Sequence, residues 1–175
     1  MSRHPFAVNV AAILGHPGAH RRELRQGAIP DLVVCGNRVP EGAEVEVDVT
    51  LEAAFPGILA TGWVEAPWEG ECRRCLALTG GHLRTPVREL YEEGGDAETT
   101  YRLAGDHLDL APLARDAVLL ELPLAPLCRR DCQGLCPECG ADRNTTACDC
   151  RTAQVDPRWA ALDVLREGQR PGEAG

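Results

Sequence analysis

The chain has 175 residues, and its hydrophobic content of 44% excludes global disorder and allows a buried core without disulfides. Its net charge of −9 disfavours RNA binding by general electrostatic attraction, because an acidic surface gains little from counterion release. The chain has neither a signal-peptide pattern nor a membrane-spanning apolar run, which predicts a cytoplasmic protein, and nine cysteines in that reducing compartment favour metal ligation over disulfides.

The first 30 residues have mixed patterns. Residues 6–14 are apolar apart from Asn9, but the run is too short for periodicity to separate a strand from a helix. Residues 16–22 predict a turn followed by a basic stretch. Arg21, Arg22 and Arg25 are candidate weak contacts to nucleic acid, with a solvated protein face as the more ordinary interpretation.

Residues 31–92 predict an antiparallel β-meander. Residues 44–52 alternate polar and apolar side chains, which is typical of a half-buried strand. Pro56 and Gly57 mark a turn, residues 57–66 a returning strand and residues 82–92 a third strand. The acidic, glycine-containing residues 93–104 predict a loop.

Two short helices are predicted further along the chain. The first covers residues 109–122, with Asp109 as the N-cap and Pro112 in the first turn, where a missing N–H does no harm. The second covers residues 156–167 and ends before a glycine. Residues 169–175 are expected to be disordered.

Eight of the nine cysteines form four close pairs along the chain, and Cys35 stands alone as an expected small buried hydrophobe. The pairs are Cys72 with Cys75, Cys128 with Cys132, Cys136 with Cys139, and Cys148 with Cys150. A tetrahedral zinc ion needs sulfurs at about 2.3 Å, and two cysteines in one tight turn present both thiolates to one point. Cys136-Pro-Glu-Cys139-Gly140 is the most specific pair, because Gly140 lets the turn reverse and frees backbone donors for the sulfurs.

Two arrangements of these pairs remain open. In one, the last two pairs form a miniature ribbon around the short loop 141–147, and the first two pairs form a second centre that connects the β-structure to the C-terminal region. In the other, a single centre draws its ligands from the five most C-terminal cysteines, while Cys72 and Cys75 bind no metal. The predicted cofactor is structural zinc, one or two ions.

The Cys72/Cys75 pair also permits a thiol redox hypothesis. A reactive thioredoxin-type cysteine lies at a helix N-terminus, and no helical pattern follows this pair. Arg73 and Arg74 would stabilise a thiolate or a metal–thiolate cluster equally well. Nucleotide-binding, acyl-transfer and histidine metal motifs are absent from the sequence, so no catalytic residue is predicted.

Four segments together carry a family resemblance: residues 70–76, residues 108–128, residues 131–144 with Cys148 and Cys150, and residues 156–165. In this order they resemble the YceD family of large ribosomal RNA subunit accumulation proteins, over roughly residues 44–167. The resemblance implies a role in accumulation of large-subunit rRNA without catalytic activity. Branches of the family that lack the later cysteines imply that the Cys72/Cys75 and Cys128/Cys132 pairs are the more general feature.

The sequence therefore predicts an α+β protein, with an antiparallel β-meander, two short helices and a C-terminal zinc-ribbon-like cysteine module. The predicted domains are residues 1–126 and residues 127–168. The expected function is that of a non-enzymatic ribosome-biogenesis factor supporting 23S rRNA, with a ribosomal precursor or a basic ribosomal protein as partner. The alternatives are a thiol-disulfide redox protein using Cys72 and Cys75, or a zinc-ribbon adaptor in transcription.

Overall fold

The computed structural model describes residues 4–94, 100–150 and 158. The chain divides into two compact units, Met1–Arg130 and Asp131–Gly175, each described by itself. The predicted second helix at residues 156–167 and the predicted tail at 169–175 lie outside the described residues, apart from residue 158.

The first unit is a curled, mixed sheet with one helix among the described residues. Its elements are β1 (Ala7–Asn9), β2 (His20–Gly27), β3 (Val33–Val34), β4 (Asn37–Arg38), β5 (Val45–Ala54), β6 (Gly57–Glu71), β7 (Leu78–Glu92), β8 (Tyr101–Ala104), β9 (His107–Asp109) and α1 (Ala111–Glu121). The predicted strands that began near residues 44, 57 and 82 correspond to β5, β6 and β7, and the predicted helix corresponds to α1.

The expectation of an antiparallel meander is wrong for the sheet as a whole. Strands β5, β6 and β7 are consecutive and antiparallel, but β7 and β8 are parallel, with Tyr91 opposite Tyr101. The same edge of β6 that pairs with β5 also pairs with β4, and β2 pairs with β5. Part of the predicted loop 93–104 is strand β8, because Tyr101 and Leu103 pack on the core.

The sequence patterns did not predict strand β2, because its core-facing positions are charged. Arg21, Glu23 and Arg25 lie opposite Leu51, Val49 and Val47 of β5, and Glu23 is buried between the two arginines. Inward-pointing charges of this kind are typical of an edge strand that must not pair with a second chain. The usual alternation of apolar and polar side chains is therefore missing from β2.

The β6–β7 hairpin is longer than the sequence predicts. Its ladder continues through Gly81 and Gly80, which lie opposite Trp68 and Glu69. A Cβ atom on Gly80 would lie 2.5 Å from the Trp68 carbonyl oxygen, so only glycine allows this close approach of the two strands. The extension carries the hairpin to its end at residues 72–77, where the first cysteine pair lies.

Helix α1 packs its Leu113, Ala114 and Val118 side chains into the core of the first unit. The prediction of Asp109 as the N-cap is wrong: Leu110 is the N-cap residue, without a side-chain capping hydrogen bond, and Asp109 ends β9. The Asp109 carboxylate still accepts a hydrogen bond from the Ala111 N–H at 2.9 Å, at the start of the helix. Among the described residues, the structure contains no helix of the length and apolar character that crossing a lipid bilayer requires.

The segment after α1 is held against the sheet by Asn37 of β4. The buried Asn37 amide donates to the Pro123 carbonyl oxygen at 2.6 Å, and a Cβ atom on Gly70 would collide with the Asn37 side chain. A buried side chain that pairs with a backbone carbonyl fixes the path of the chain at that point. This path leads to Cys128.

Candidate metal centres

The turn between β6 and β7 holds Cys72 and Cys75 in a closed backbone loop. The Cys72 N–H donates to the Ala77 carbonyl oxygen and the Leu76 N–H donates to the Cys72 carbonyl oxygen, both at 2.9 Å. Leu76 has a φ of 61°, in the left-handed region that reverses the chain. Both cysteine side chains are buried at the end of the hairpin.

Arg73 connects this turn to the segment after α1. Its backbone N–H donates to the Pro126 carbonyl oxygen at 2.9 Å, and its guanidinium donates to the carbonyl oxygens of Leu124 at 2.9 Å and Cys35 at 3.1 Å. The same connection places the Cys128 sulfur 3.6 Å from the Cys75 sulfur.

The first candidate centre consists of Cys72, Cys75, Cys128 and Cys132, whose sulfur atoms all lie within 4.8 Å of one another. Four sulfurs at about 2.3 Å from one tetrahedral ion are separated by about 3.8 Å. The sulfur separations therefore suit a single bound cation, and the contact between Cys75 and Cys128 is far too long for a disulfide.

The second candidate centre lies in the second unit and repeats the same turn. The Cys136 N–H donates to the Ala141 carbonyl oxygen at 2.8 Å, and the Gly140 N–H donates to the Cys136 carbonyl oxygen at 2.9 Å. Gly140 has a φ of 72°, as its predicted role in reversing the turn requires. The sulfurs of Cys136, Cys139, Cys148 and Cys150 lie within 4.8 Å of one another.

Thus the structure groups the eight cysteines in the two sets used by the two-centre arrangement. Each set offers four sulfurs that could hold a metal ion. Cys35 is outside both sets and lies exposed in the β3–β4 turn with a φ of 51°, so the expectation that it is a buried hydrophobe is wrong.

Backbone donors make one thiol in each set acidic. The N–H of Cys128, with smaller contributions from the N–H groups of Cys75 and Arg74, lowers the pKa of Cys72 to about 6. The N–H groups of Cys139 and Glu138 lower the pKa of Cys136 to about 6. Hydrogen bonds to a thiolate stabilise the charged form, and such N–H donors also support metal-bound sulfur.

Other thiols of the second set are harder to ionise. The Cys139 sulfur raises the pKa of Cys150 to about 12, and the Cys136 sulfur raises the pKa of Cys148. Several thiolates in close contact repel one another unless a cation compensates their charge. The four thiols of the second set should therefore all lose their protons only when a cation is bound.

Asn144 is a sulfur-binding residue that sequence reasoning missed. Its amide donates to the Cys132 sulfur at 3.4 Å and to the Asp142 carboxylate at 2.6 Å, and its carbonyl oxygen accepts the Gln133 N–H at 2.8 Å. The sequence predicts only a short loop for residues 141–147. The one available signal is the Asp-Arg-Asn run between two cysteine pairs, whose polar side chains suit a tight turn.

Arg21, Arg22 and Arg25, the candidate nucleic-acid contacts, all lie on β2 and are paired with carboxylates. Arg22 donates to both oxygens of Asp48, at 2.7 and 2.6 Å, and this hydrogen bonding holds the pKa of Asp48 below its usual value. Arg21 and Arg25 both contact Glu23. Their positive charges are therefore largely offset within the fold, which weakens them as phosphate contacts.

The amino-acid sequence matches a known protein family. The family model described as large ribosomal RNA subunit accumulation protein YceD matches residues 60–166, which include all eight paired cysteines. A chloroplastic YCED homolog 1 of Arabidopsis thaliana, named as a large ribosomal RNA subunit accumulation protein, is 35% identical over 66 residues, 38% of this chain and 21% of that protein.

Two mycobacterial proteins match more of the chain. An uncharacterized protein of Mycobacterium tuberculosis is 40% identical over 131 residues, 71% of this chain and 63% of its own length. The chain thus spans less than two thirds of that relative. An uncharacterized protein of Mycobacterium leprae is 35% identical over 172 residues, 92% of this chain and 78% of its own length.

No solved structure matches the chain. From the match to residues 60–166 and the similarity along nearly its whole length, the chain belongs to the YceD family.

Proposed function

We propose that the protein is a non-enzymatic factor of ribosome biogenesis that supports accumulation of the 23S rRNA of the large subunit in the cytoplasm. The observation that carries the proposal is the family match over residues 60–166, whose description names large ribosomal RNA subunit accumulation. That region contains most of the β6–β7 hairpin, helix α1 and both cysteine sets.

The metal that suits both cysteine sets best is zinc. Thiolate ligands favour zinc over magnesium or calcium, which prefer oxygen ligands. A zinc ion with four protein sulfurs has no open position for substrate or water, so such a centre stabilises the fold rather than supplying catalytic chemistry. Each set would therefore hold one zinc ion through its four cysteines.

The net charge of −9 supports a basic partner, either a ribosomal protein or a precursor particle that carries such proteins. Depleting the protein should lower the amount of large-subunit rRNA relative to small-subunit rRNA. A plasmid-borne wild-type copy should restore the ratio, whereas a Cys72→Ser copy should not. A Cys35→Ser copy is the matched control, because Cys35 lies outside both sets. An unchanged ratio of large-subunit to small-subunit rRNA after depletion would contradict the proposed function.

A thiol redox function is the second candidate, and the lowered pKa of Cys72, about 6, is the observation that favours it. The same thiol is buried and belongs to a set of four sulfurs, which favours metal ligation. Alkylation of the purified protein separates the two functions. Metal ligation requires that Cys72 react only after a chelator is added, and a redox thiol would react without it.

A further inference from the structure

Cys132 is the member of the first cysteine set that belongs to the second unit, as do all four cysteines of the second set. It is buried, and three residues separate it from Cys136, the first cysteine of the second set. Ligands of both candidate centres therefore follow one another along a short segment of the chain. Hydrogen bonds within the second unit connect Cys132 to the loop 141–147, which lies between Cys139 and Cys148 of the second set.

Asn144, in this loop, contacts both Cys132 and the residue that follows it. The Asn144 side-chain nitrogen donates to the Cys132 sulfur at 3.4 Å, and its carbonyl oxygen accepts a hydrogen bond from the Gln133 N–H at 2.8 Å. The same nitrogen donates to the Asp142 carboxylate at 2.6 Å, and so does the Asn144 backbone N–H at 2.9 Å. Both ends of the Asn144 amide are therefore hydrogen-bonded, which fixes the direction of its donor to Cys132.

The backbone next to Asn144 is paired with the segment that carries the second set. The Arg143 N–H donates to the Gly134 carbonyl oxygen at 2.9 Å, and the Cys136 N–H donates to the Ala141 carbonyl oxygen at 2.8 Å. These two hydrogen bonds lie on either side of the contacts that Asn144 makes, and the second of them is part of the cysteine turn. The position of Asn144 therefore depends on the order of the second set.

A cation bound by the second set would keep this loop in place. The residues at the two ends of the loop, Cys139 and Cys148, both belong to that set, so a cation that binds both sulfurs closes the loop. Among the residues that the structure describes, none of the second unit belongs to the hydrophobic core. In small modules of this kind, metal binding and folding share one free energy. Removing the cation should therefore leave Asn144 without a fixed position.

We propose that the two metal centres are coupled through Asn144, so that a cation in either cysteine set raises the affinity of the other set. A cation in the second set orders the loop 141–147, and the ordered Asn144 then supports the Cys132 sulfur as a ligand of the first set. This rests on the proposed function in one respect, the assignment of one zinc ion to each set. The coupling acts equally in both directions, because the two binding events share one free energy.

The test compares the zinc affinities of three full-length proteins, measured by competition with a chromogenic chelator. Cys139→Ser/Cys150→Ser gives the affinity of the first set alone, and Cys75→Ser/Cys128→Ser gives that of the second set alone. The wild-type protein gives the overall affinity for two ions. The coupling factor is this overall affinity divided by the product of the two separate affinities, so it requires no assignment of ions to sites in the wild type.

We expect a coupling factor of about ten or more, the usual effect of a group that supports a metal ligand. The same three measurements in proteins that also carry Asn144→Ala should give a factor within about twofold of one, as for independent sites. The donor to Cys132 is then absent, while the cysteines of each set are unchanged. Thr146→Ala alters an exposed residue of the same loop and is the matched control, which should keep the wild-type factor.

Three results would overturn the inference: a wild-type protein that binds fewer than two zinc ions, a wild-type coupling factor within about twofold of one, or a factor that persists in Asn144→Ala. The last result would mean that Asn144 supports Cys132 whether or not the second set holds zinc.

The outcome is separate from that of the rRNA measurement. If depletion lowers the large-subunit rRNA while the coupling factor is one, the proposed role in ribosome biogenesis stands and the coupling alone is lost. If the factor is high and depends on Asn144 but depletion leaves the rRNA ratio unchanged, the coupling stands and the role in ribosome biogenesis is lost.

Discussion

Leu76 and Gly140 occupy the same position in the two cysteine turns. Each follows the second cysteine of its pair, each donates its N–H to the carbonyl oxygen of the first cysteine at 2.9 Å, and their φ angles are 61° and 72°. A left-handed conformation costs a non-glycine residue about 1 to 2 kcal/mol. The turn around Cys72 therefore includes strain that the turn around Cys136 avoids.

Replacing Gly140 tests this equivalence. Gly140→Val should lower the zinc affinity of the second set about tenfold or more, because a β-branched residue is strongly disfavoured at positive φ. Leu76→Gly should leave the first set within a few-fold of the wild type, since relief of strain is offset by the flexibility of glycine in the unfolded chain. Competition with a chromogenic chelator measures both affinities. Equal effects of the two changes would contradict the equivalence.

Removing one ligand should remove one metal ion. Cys139→Ser should reduce the zinc content from about two ions per chain to about one and loosen the second unit, because metal binding and folding of such modules share one free energy. Elemental analysis with limited proteolysis measures both effects. Cys35→Ser is the control and should keep the full metal content. A Cys139→Ser protein with unchanged zinc and protease resistance would show that the ligand assignment is wrong.

The lowered pKa values of Cys72 and Cys136 determine how many protons zinc displaces. Both thiols have a folded pKa of about 6, below the ordinary value of 9.0, so both are thiolates at pH 7. Zinc binding at pH 7 should therefore release fewer than the four protons per ion expected from four neutral thiols. Calorimetric titration in buffers of different ionisation enthalpy counts these protons.

The direction in which zinc binding changes with pH follows from the same pKa values. As the pH falls through about 6, these two thiolates take up protons, and the stabilisation that they provide to bound zinc and to the fold is lost. Zinc release should thus become steep below about pH 6. Release of four protons per ion at pH 7, or unchanged zinc affinity down to pH 5, would contradict the assignment of thiolates.

Asn144 should increase the zinc affinity of the first cysteine set without being a ligand. Asn144→Ala removes the donor to the Cys132 sulfur and should weaken zinc binding by about tenfold, the usual cost of losing a group that supports a ligand. Thr146→Ala, an exposed change in the same loop, is the control and should have little effect. The zinc stoichiometry should be unchanged in both variants. Loss of an ion from Asn144→Ala would indicate a larger structural role.

The features that local patterns determine were predictable. Alternating side chains locate the strand at residues 45–54, and the Pro56–Gly57 turn separates it from β6. Helix α1 follows from the proline in its first turn and from its apolar spacing, although its N-cap is Leu110 and not Asp109. The cysteine pairs and the role of Gly140 follow from spacing as well, because a turn of four residues is a local structure. Strand β2 was missed, since its inward-facing positions carry Arg21, Glu23 and Arg25.

Contacts between residues far apart in the sequence determined the remaining features of the fold and of the candidate site. Which cysteine pair meets which depends on the β6–β7 hairpin and on the path of the chain after α1, where Asn37 and Arg73 bind backbone carbonyl groups. The pairing of β2 with β5 also brings Arg22 next to Asp48. The sequence by itself therefore determined which side chains could serve as metal ligands, because that depends on residue type and spacing. Only the tertiary structure decided the partners of Arg22, Arg38 and Arg84, because each of them pairs with a carboxylate on another strand.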